Sequence, residues 1–148
     1  MNVEEVIKTT KQIPLESRTI IHLTLVQNKI SEAMGHALKP FDVSLQQFNV
    51  LRILRGQNGL PANLSTLNER MVSKMSNTTR LVDKLILKGL VNRVVCKTNR
   101  RKVEITITEN GKASLMEMDL AVKQAEKSVL EDFNTTELKE LNQLLDKF

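Results

Sequence analysis

The chain has 148 residues and a net charge of +5, with one Cys, two His, four Phe and neither Trp nor Tyr. That length makes one domain with room for a real core, and the scarcity of aromatics argues against an aromatic-lined catalytic pocket. A lone Cys96 excludes an internal disulfide, and His22 and His36 sit in no metal-ligand cluster, so neither metal nor cofactor is expected. The N-terminus lacks an apolar signal region, and no stretch of roughly 18 apolar residues could span a bilayer. A cytoplasmic protein is expected.

Between residues 16 and 38, Ile20, Ile21, Leu23, Leu25, Val26, Ile30, Ala33, Met34, Ala37 and Leu38 recur at helical steps and stop at Lys39-Pro40. A second helix is predicted to begin at Ser44, with Gln47 at capping-box spacing, and to end at Gly56. "GQNGLPAN", 56 to 63, reads as a loop before a short helix over Leu64 to Met71. A further helix is predicted over 73 to 88, closed by Gly89 in a left-handed turn. The period then changes. "VNRVV", 91 to 95, and "VEITI", 103 to 107, are β-branched runs that pair most simply as an antiparallel hairpin with "CKTNRRK" at its tip. Thr108 starts another long helix, and Asn134 with Glu137 caps a last one bearing Leu138, Leu141, Leu144 and Leu145. The fold class expected is mainly α, an α+β winged helix-turn-helix.

Charge is concentrated in one block. Residues 60 to 104 hold ten Lys or Arg against three acids, a net +7, while the rest of the chain sums to −2. A basic block in an otherwise mildly acidic chain suits a polyanion. Two short helices followed by a hairpin make a winged helix-turn-helix, whose second helix enters the DNA major groove. On the helix at 73 to 88, Thr78, Leu81, Val82 and Leu85 gather on the core side, while Ser73, Ser76, Asn77, Arg80 and Lys84 gather opposite, near Lys74 and Thr79. Arg binds guanine bidentately, Asn does the same to adenine, and Ser or Thr contacts either. Lys84 and Lys88 are placed for phosphates. The tip, Lys97, Thr98, Asn99, Arg100, Arg101 and Lys102, is the wing, with Arg100 or Arg101 suited to a narrow minor groove.

The residues "LNERMVSKMSNTTRLVDKLILKGLVNR" and "NRRKVEITITENG" resemble the MarR family of bacterial transcriptional regulators. "TRLVDKL" and "KGLV" within 79 to 91 carry the likeness, as does a wing resembling the family's Asp-x-Arg ahead of a strand ending Leu-Thr-x-x-Gly. Here these read Asn99-Arg100-Arg101 and Ile107-Thr108-Glu109-Asn110-Gly111. The resemblance implies a homodimeric repressor on a pseudo-palindromic operator, with 1–40 and 109–148 as intertwined dimerisation helices and 41–108 as the reading unit. Consistent with this, the terminal helices carry more apolar surface than a small winged-helix core can absorb. Asn99 replaces the family's Asp, so a neutral hydrogen bond stands where a charge-assisted one steadies the wing arginine. Arg101 matches that arginine by position.

The resemblance also implies release by a small, often phenolic, ligand. His22, Met34, Phe48 and Met116 are the candidate pocket residues. Two other readings stand beside the DNA reader. The basic wing could dock an acidic protein partner, or Cys96, beside Lys97 and the arginines, could act as a redox switch. An enzyme is not expected, because the chain has no Ser-His-Asp set in a plausible order, no phosphate-binding Gly-rich loop and no H-E-x-x-H.

Overall fold

A computed structural model describes residues 1–73, 77–95 and 103–148. It opens with a four-residue helix, α1 (Val3–Val6), capped by the Asn2 side chain; the sequence reading did not anticipate it. The Glu4 carboxylate accepts hydrogen bonds from Arg18 Nε at 2.7 Å and Nη2 at 3.1 Å, which pins α1 to the helix that follows. That helix, α2 (Leu15–Leu38), matches the predicted span and ends in a 3-10 turn over Lys39–Phe41, where Pro40 removes a backbone donor.

Ser44 caps α3 (Leu45–Gly56) as its spacing predicts. The Gln47 N–H donates to Ser44 Oγ at 3.2 Å, and the Ser44 N–H donates to Gln47 Oε1 at 3.0 Å. Asn63 caps the short α4 (Leu64–Arg70), its Oδ1 accepting from the Thr66 N–H at 2.8 Å. The next helix, α5 (Thr78–Leu87), is shorter than predicted, starting five residues later than the periodicity suggested. Gly89 follows with φ of +69°, the left-handed turn expected of it.

Strands β1 (Val91–Val95) and β2 (Val103–Ile107) pair antiparallel, with Val91 opposite Ile107 and Val95 opposite Val103. The loop after α3 joins this ribbon, since Ala62 and Ile105 exchange backbone hydrogen bonds of 2.9 and 2.7 Å. The helix α6 (Glu109–Val129) begins where predicted, with Thr108 Oγ1 accepting from the Gly111 N–H at 2.9 Å. The last helix, α7 (Thr135–Leu145), has the capping box formed by Asn134 and Glu137.

One core joins these elements. Phe48, Val50, Leu51 and Leu54 of α3 pack with Leu67 of α4, Val82 and Leu85 of α5, Ile105 of β2, and Leu115 and Met118 of α6. Each such side chain, fully buried, contributes roughly 1.5–3 kcal/mol. The terminal helices contrast with this centre. In α2 only Met34 and Leu38 are buried, and α7 buries none of its residues. Leu15, Ile20, Leu120, Phe133, Leu144 and Leu145 stand exposed.

Candidate nucleic-acid interface

The candidate interface centres on α5, which is amphipathic and is held by its core side. Thr78, Val82 and Leu85 are buried and Leu81 is half-buried, as the periodicity predicts. Thr79, Arg80, Asp83, Lys84 and Leu87 are exposed, and at 100° per residue they span an arc of roughly 140°. Asn77 occupies the N-cap position, but its side chain makes no capping hydrogen bond there. Asn77 is exposed at the helix end that approaches base edges in this class of motif.

Three polar ties from other elements hold α5. At its start, the buried Thr78 hydroxyl donates to Asn68 Oδ1 of α4. In its middle, Arg93 Nη1 of β1 donates to Asp83 Oδ1 at 3.0 Å. At its end, Lys88 Nζ donates to Asp42 Oδ2 at 2.5 Å and also to the Asp42 carbonyl oxygen. The ammonium bonded to it holds the Asp42 carboxyl below its ordinary value, and Lys84 adds a smaller pull in the same direction. Since Arg93 neutralises Asp83, the outward face keeps Arg80 and Lys84 as its cations. Neither is engaged in an ion pair among the described residues.

The position of the hairpin beside α5 also has a local cause. The Thr108 N–H donates to the Leu90 carbonyl at 3.1 Å, and the Thr108 hydroxyl donates to the Gly89 carbonyl at 2.7 Å. A Cβ at Gly111 would run into the Leu90 carbonyl oxygen and meet Ile107 Cγ1 at 2.8 Å. The Thr-x-x-Gly run therefore has a physical meaning: Thr108 caps α6 while bonding the turn after α5, and only glycine lets the two backbones close.

Several expected site residues are placed differently. Ser73, expected on the helix now seen as α5, lies in a bend before it, because Met71 leaves α4 with ψ of 132°. Asn77, Thr79, Arg80 and Lys84 do come together at α5. Lys74, Ser76 and the wing residues Lys97, Thr98, Asn99, Arg100, Arg101 and Lys102, together with Cys96, lie outside the described residues. Lys88, expected at a phosphate, is bound to Asp42 instead.

The four candidate pocket residues do not share one environment. Met34 and Phe48 are packed in the core, His22 is half-buried on α2, and Met116 is 66% exposed on α6. Met116 follows buried Leu115 by one position, which turns it about 100° away from the core. A cleft of about 590 Å³ does adjoin α5, lined by Gly35, Lys39, Val43, Gln47, Leu87 and Lys88 among others, and none of the four is in its lining.

The sequence analysis missed Asp42, Asn68 and Arg93 as partners of α5 and its C-terminal turn, and Asp83 as the residue that Arg93 holds. Their separations from the residues they hold are 46 and 10 positions, beyond the one-turn spacing at which charge patterning on a helix is readable.

A short helix, a turn, a second helix with one polar face outward and a hairpin packed beside it define a winged helix-turn-helix protein. Residues 43–103 match the model of the MarR family. Over that stretch the chain is similar to the MarR family of transcriptional regulators. Over 71 residues it is 38% identical to YfiV of Bacillus subtilis, described as an uncharacterized HTH-type transcriptional regulator; the match takes in 48% of this chain and 43% of that protein. Apo MarR of Escherichia coli is 25% identical, with 93% of this chain and 98% of that one superposing at a TM-score of 0.70. A cysteine-to-serine mutant of the same protein, complexed with operator DNA, superposes at 0.76 over 90% of this chain and 93% of that one, at 24% identity. BpsR of Bordetella bronchiseptica, whose DNA binding is regulated by 6-hydroxynicotinic acid, shares the fold at 20% identity and a TM-score of 0.79, covering 93% and 96% of the two chains.

Proposed function

We propose that this chain is a sequence-specific repressor that binds a pseudo-palindromic DNA operator as a homodimer. The observation that carries the reading is the outward face of α5, where Thr79, Arg80 and Lys84 are exposed beside an Asn77 amide unused in capping. An interface core for a protein partner would favour aromatic and aliphatic anchors, whereas these are the side chains that hydrogen-bond base edges and phosphates. Arg80, Asn77 and Thr79 read bases, and Lys84 takes a phosphate. Ser73, Lys74 and Ser76 flank the helix start, and the wing residues Lys97 to Lys102 follow the neighbouring minor groove, with Arg101 ahead of Arg100.

Residues 41–108 act as the reading unit, and 1–40 with 109–148 as the dimerisation helices. The exposed leucines of α7 and the unburied face of α2 support this, since a second copy would remove them from water. A two-fold dimer would set its two α5 helices about 34 Å apart, one turn of the duplex. The likeness to BpsR, regulated by 6-hydroxynicotinic acid, supports release by a small molecule.

The test is selection of bound sequences from a random duplex pool by the purified protein at near-physiological salt. Enrichment of a two-fold symmetric site is the expected result. Equal affinity for enriched and random DNA from folded, dimeric protein would overturn the specific reader and favour an acidic protein partner.

A further inference from the structure

The end of α5 is tied to a place that the reading helix does not otherwise need. Its main packing is on α3, α4 and β1. Lys88 nevertheless reaches the corner between α2 and α3, where Asp42 caps the 3-10 turn with φ of +52°. Among L residues, Asp and Asn tolerate that left-handed conformation best. Both acceptors on this one residue, its carboxylate and its own carbonyl oxygen, meet the same ammonium. Lys88 is largely covered, its side chain 27% exposed, while Asp42 is open to solvent.

We infer that Asp42 and Lys88 form a positioning clasp that fixes the tilt of the reading helix against α2, and so sets the half-site spacing the dimer accepts. This rests on the DNA-reading function proposed above. The clasp links the helix that would enter the groove to the end of the helix that would carry the two-fold interface. A change of angle at the corner would be passed to α5, because α3, which leaves that corner, packs on α5 in the same core. Lys88 acts through α5 rather than on DNA, since Asp42 occupies its ammonium. Lys84, four residues earlier and unpaired among the described residues, is the one left for a phosphate.

The experiment uses full-length protein and the symmetric site it enriches, together with duplexes in which one base pair is inserted or removed between the half-sites. Affinities of wild type, Asp42→Asn, Lys88→Met, Lys88→Arg and the Asp42→Asn/Lys88→Met pair are measured by fluorescence anisotropy across a salt series. Circular dichroism checks that each variant is folded at the assay temperature. Both single variants should bind the natural spacing roughly threefold to fivefold more weakly, as befits an exposed ion pair. They should also discriminate less than wild type against altered spacing. The double variant should be no worse than either single one, and Lys88→Arg should recover the wild-type behaviour.

The dependence of log K on log salt should keep the wild-type slope in all of them. A slope reduced by about 0.9 in Lys88→Met, with Asp42→Asn unchanged, would instead make Lys88 a phosphate contact and overturn the clasp. Unaltered spacing preference in both single variants would overturn it too. Failure of the wild-type protein to enrich any site would count against the DNA-reading function itself and is seen before a variant is made.

Discussion

Replacing Gly111 by Ala tests whether close approach, rather than flexibility, is what this position requires. The added methyl would lie against the Leu90 carbonyl oxygen, 3.0 Å from its carbon and 2.8 Å from Ile107 Cγ1. Leu90 cannot drift away freely. Its N–H donates to the Leu85 carbonyl at 3.0 Å, and its carbonyl accepts from the Thr108 N–H at 3.1 Å. Relieving the overlap would move the root of the hairpin or the first turn of α6. Overpacking of this kind costs about 1–3 kcal/mol, and loss of the Thr108 bond would add about 1 kcal/mol. Against this, Ala is better than Gly inside a helix by about 1 kcal/mol. The net expectation is destabilisation of about 1–3 kcal/mol. Urea denaturation at fixed protein concentration should show a lower midpoint with an unchanged slope, a shift of about 1 M if the slope is near 2 kcal/mol/M. A midpoint raised or unmoved would mean that helix propensity dominates and that the contact at Leu90 yields cheaply.

Arg80→Ala should cost about 1–3 kcal/mol of operator binding and relax base preference, while Lys84→Ala should weaken all sequences alike and reduce the salt slope by about 0.9; parallel binding titrations on operator and random DNA separate the two. Thr78→Val keeps the buried shape but removes the donor to Asn68, so the thermal midpoint should fall by an amount equivalent to about 1 kcal/mol. Leu145→Glu places a charge in the unburied stripe of α7 and should shift sedimentation from dimer to monomer, since each leucine buried there is worth roughly 1.5–3 kcal/mol; an undisturbed dimer would exclude that stripe from the interface. Asp42, with Lys88, and Glu4, with Arg18, both titrate below their ordinary values. A depressed carboxyl stabilises the fold above its unfolded pKa and loses that contribution as pH falls through the folded one. The difference in melting temperature between wild type and Asp42→Asn should therefore be present at neutral pH, begin to shrink near the ordinary carboxyl value of about 4, and vanish only below the lowered value of the folded state.

Legibility of the sequence followed the range of the interaction. Helix starts at Ser44, Thr108 and Asn134 were readable because a cap acts within four residues. The hairpin was readable because two β-branched runs flank it, and the buried side of α5 because its period repeats. The start of α5 was not. Ser73 extends the polar arc on paper, yet it lies in a bend just after Met71, whose extended backbone ends α4. Met116 stands apart from the buried Met34 and Phe48 because a methionine one position after a buried leucine on a helix is turned away from the core. The ties from Asp42, Asn68 and Arg93 join elements that only folding brings together. A residue's type announces that it can form such a bond, and no local pattern says with whom.

Those ties change what affinity at α5 should depend on. The helix is ten residues long, short enough to be marginal on its own in water, so its order comes from its surroundings. It is held at its first residue by Asn68, in its middle by Arg93 and just past its end by Asp42. A reading helix ordered before it meets DNA gives up little conformational freedom on binding, and that saving appears directly in affinity. Substitutions at Asn68, Arg93 or Asp42 should thus weaken binding without changing which bases are preferred. Substitutions at Arg80 should change the preference with the fold intact. Two classes of loss would then separate on one helix: residues that hold it, and residues that it presents.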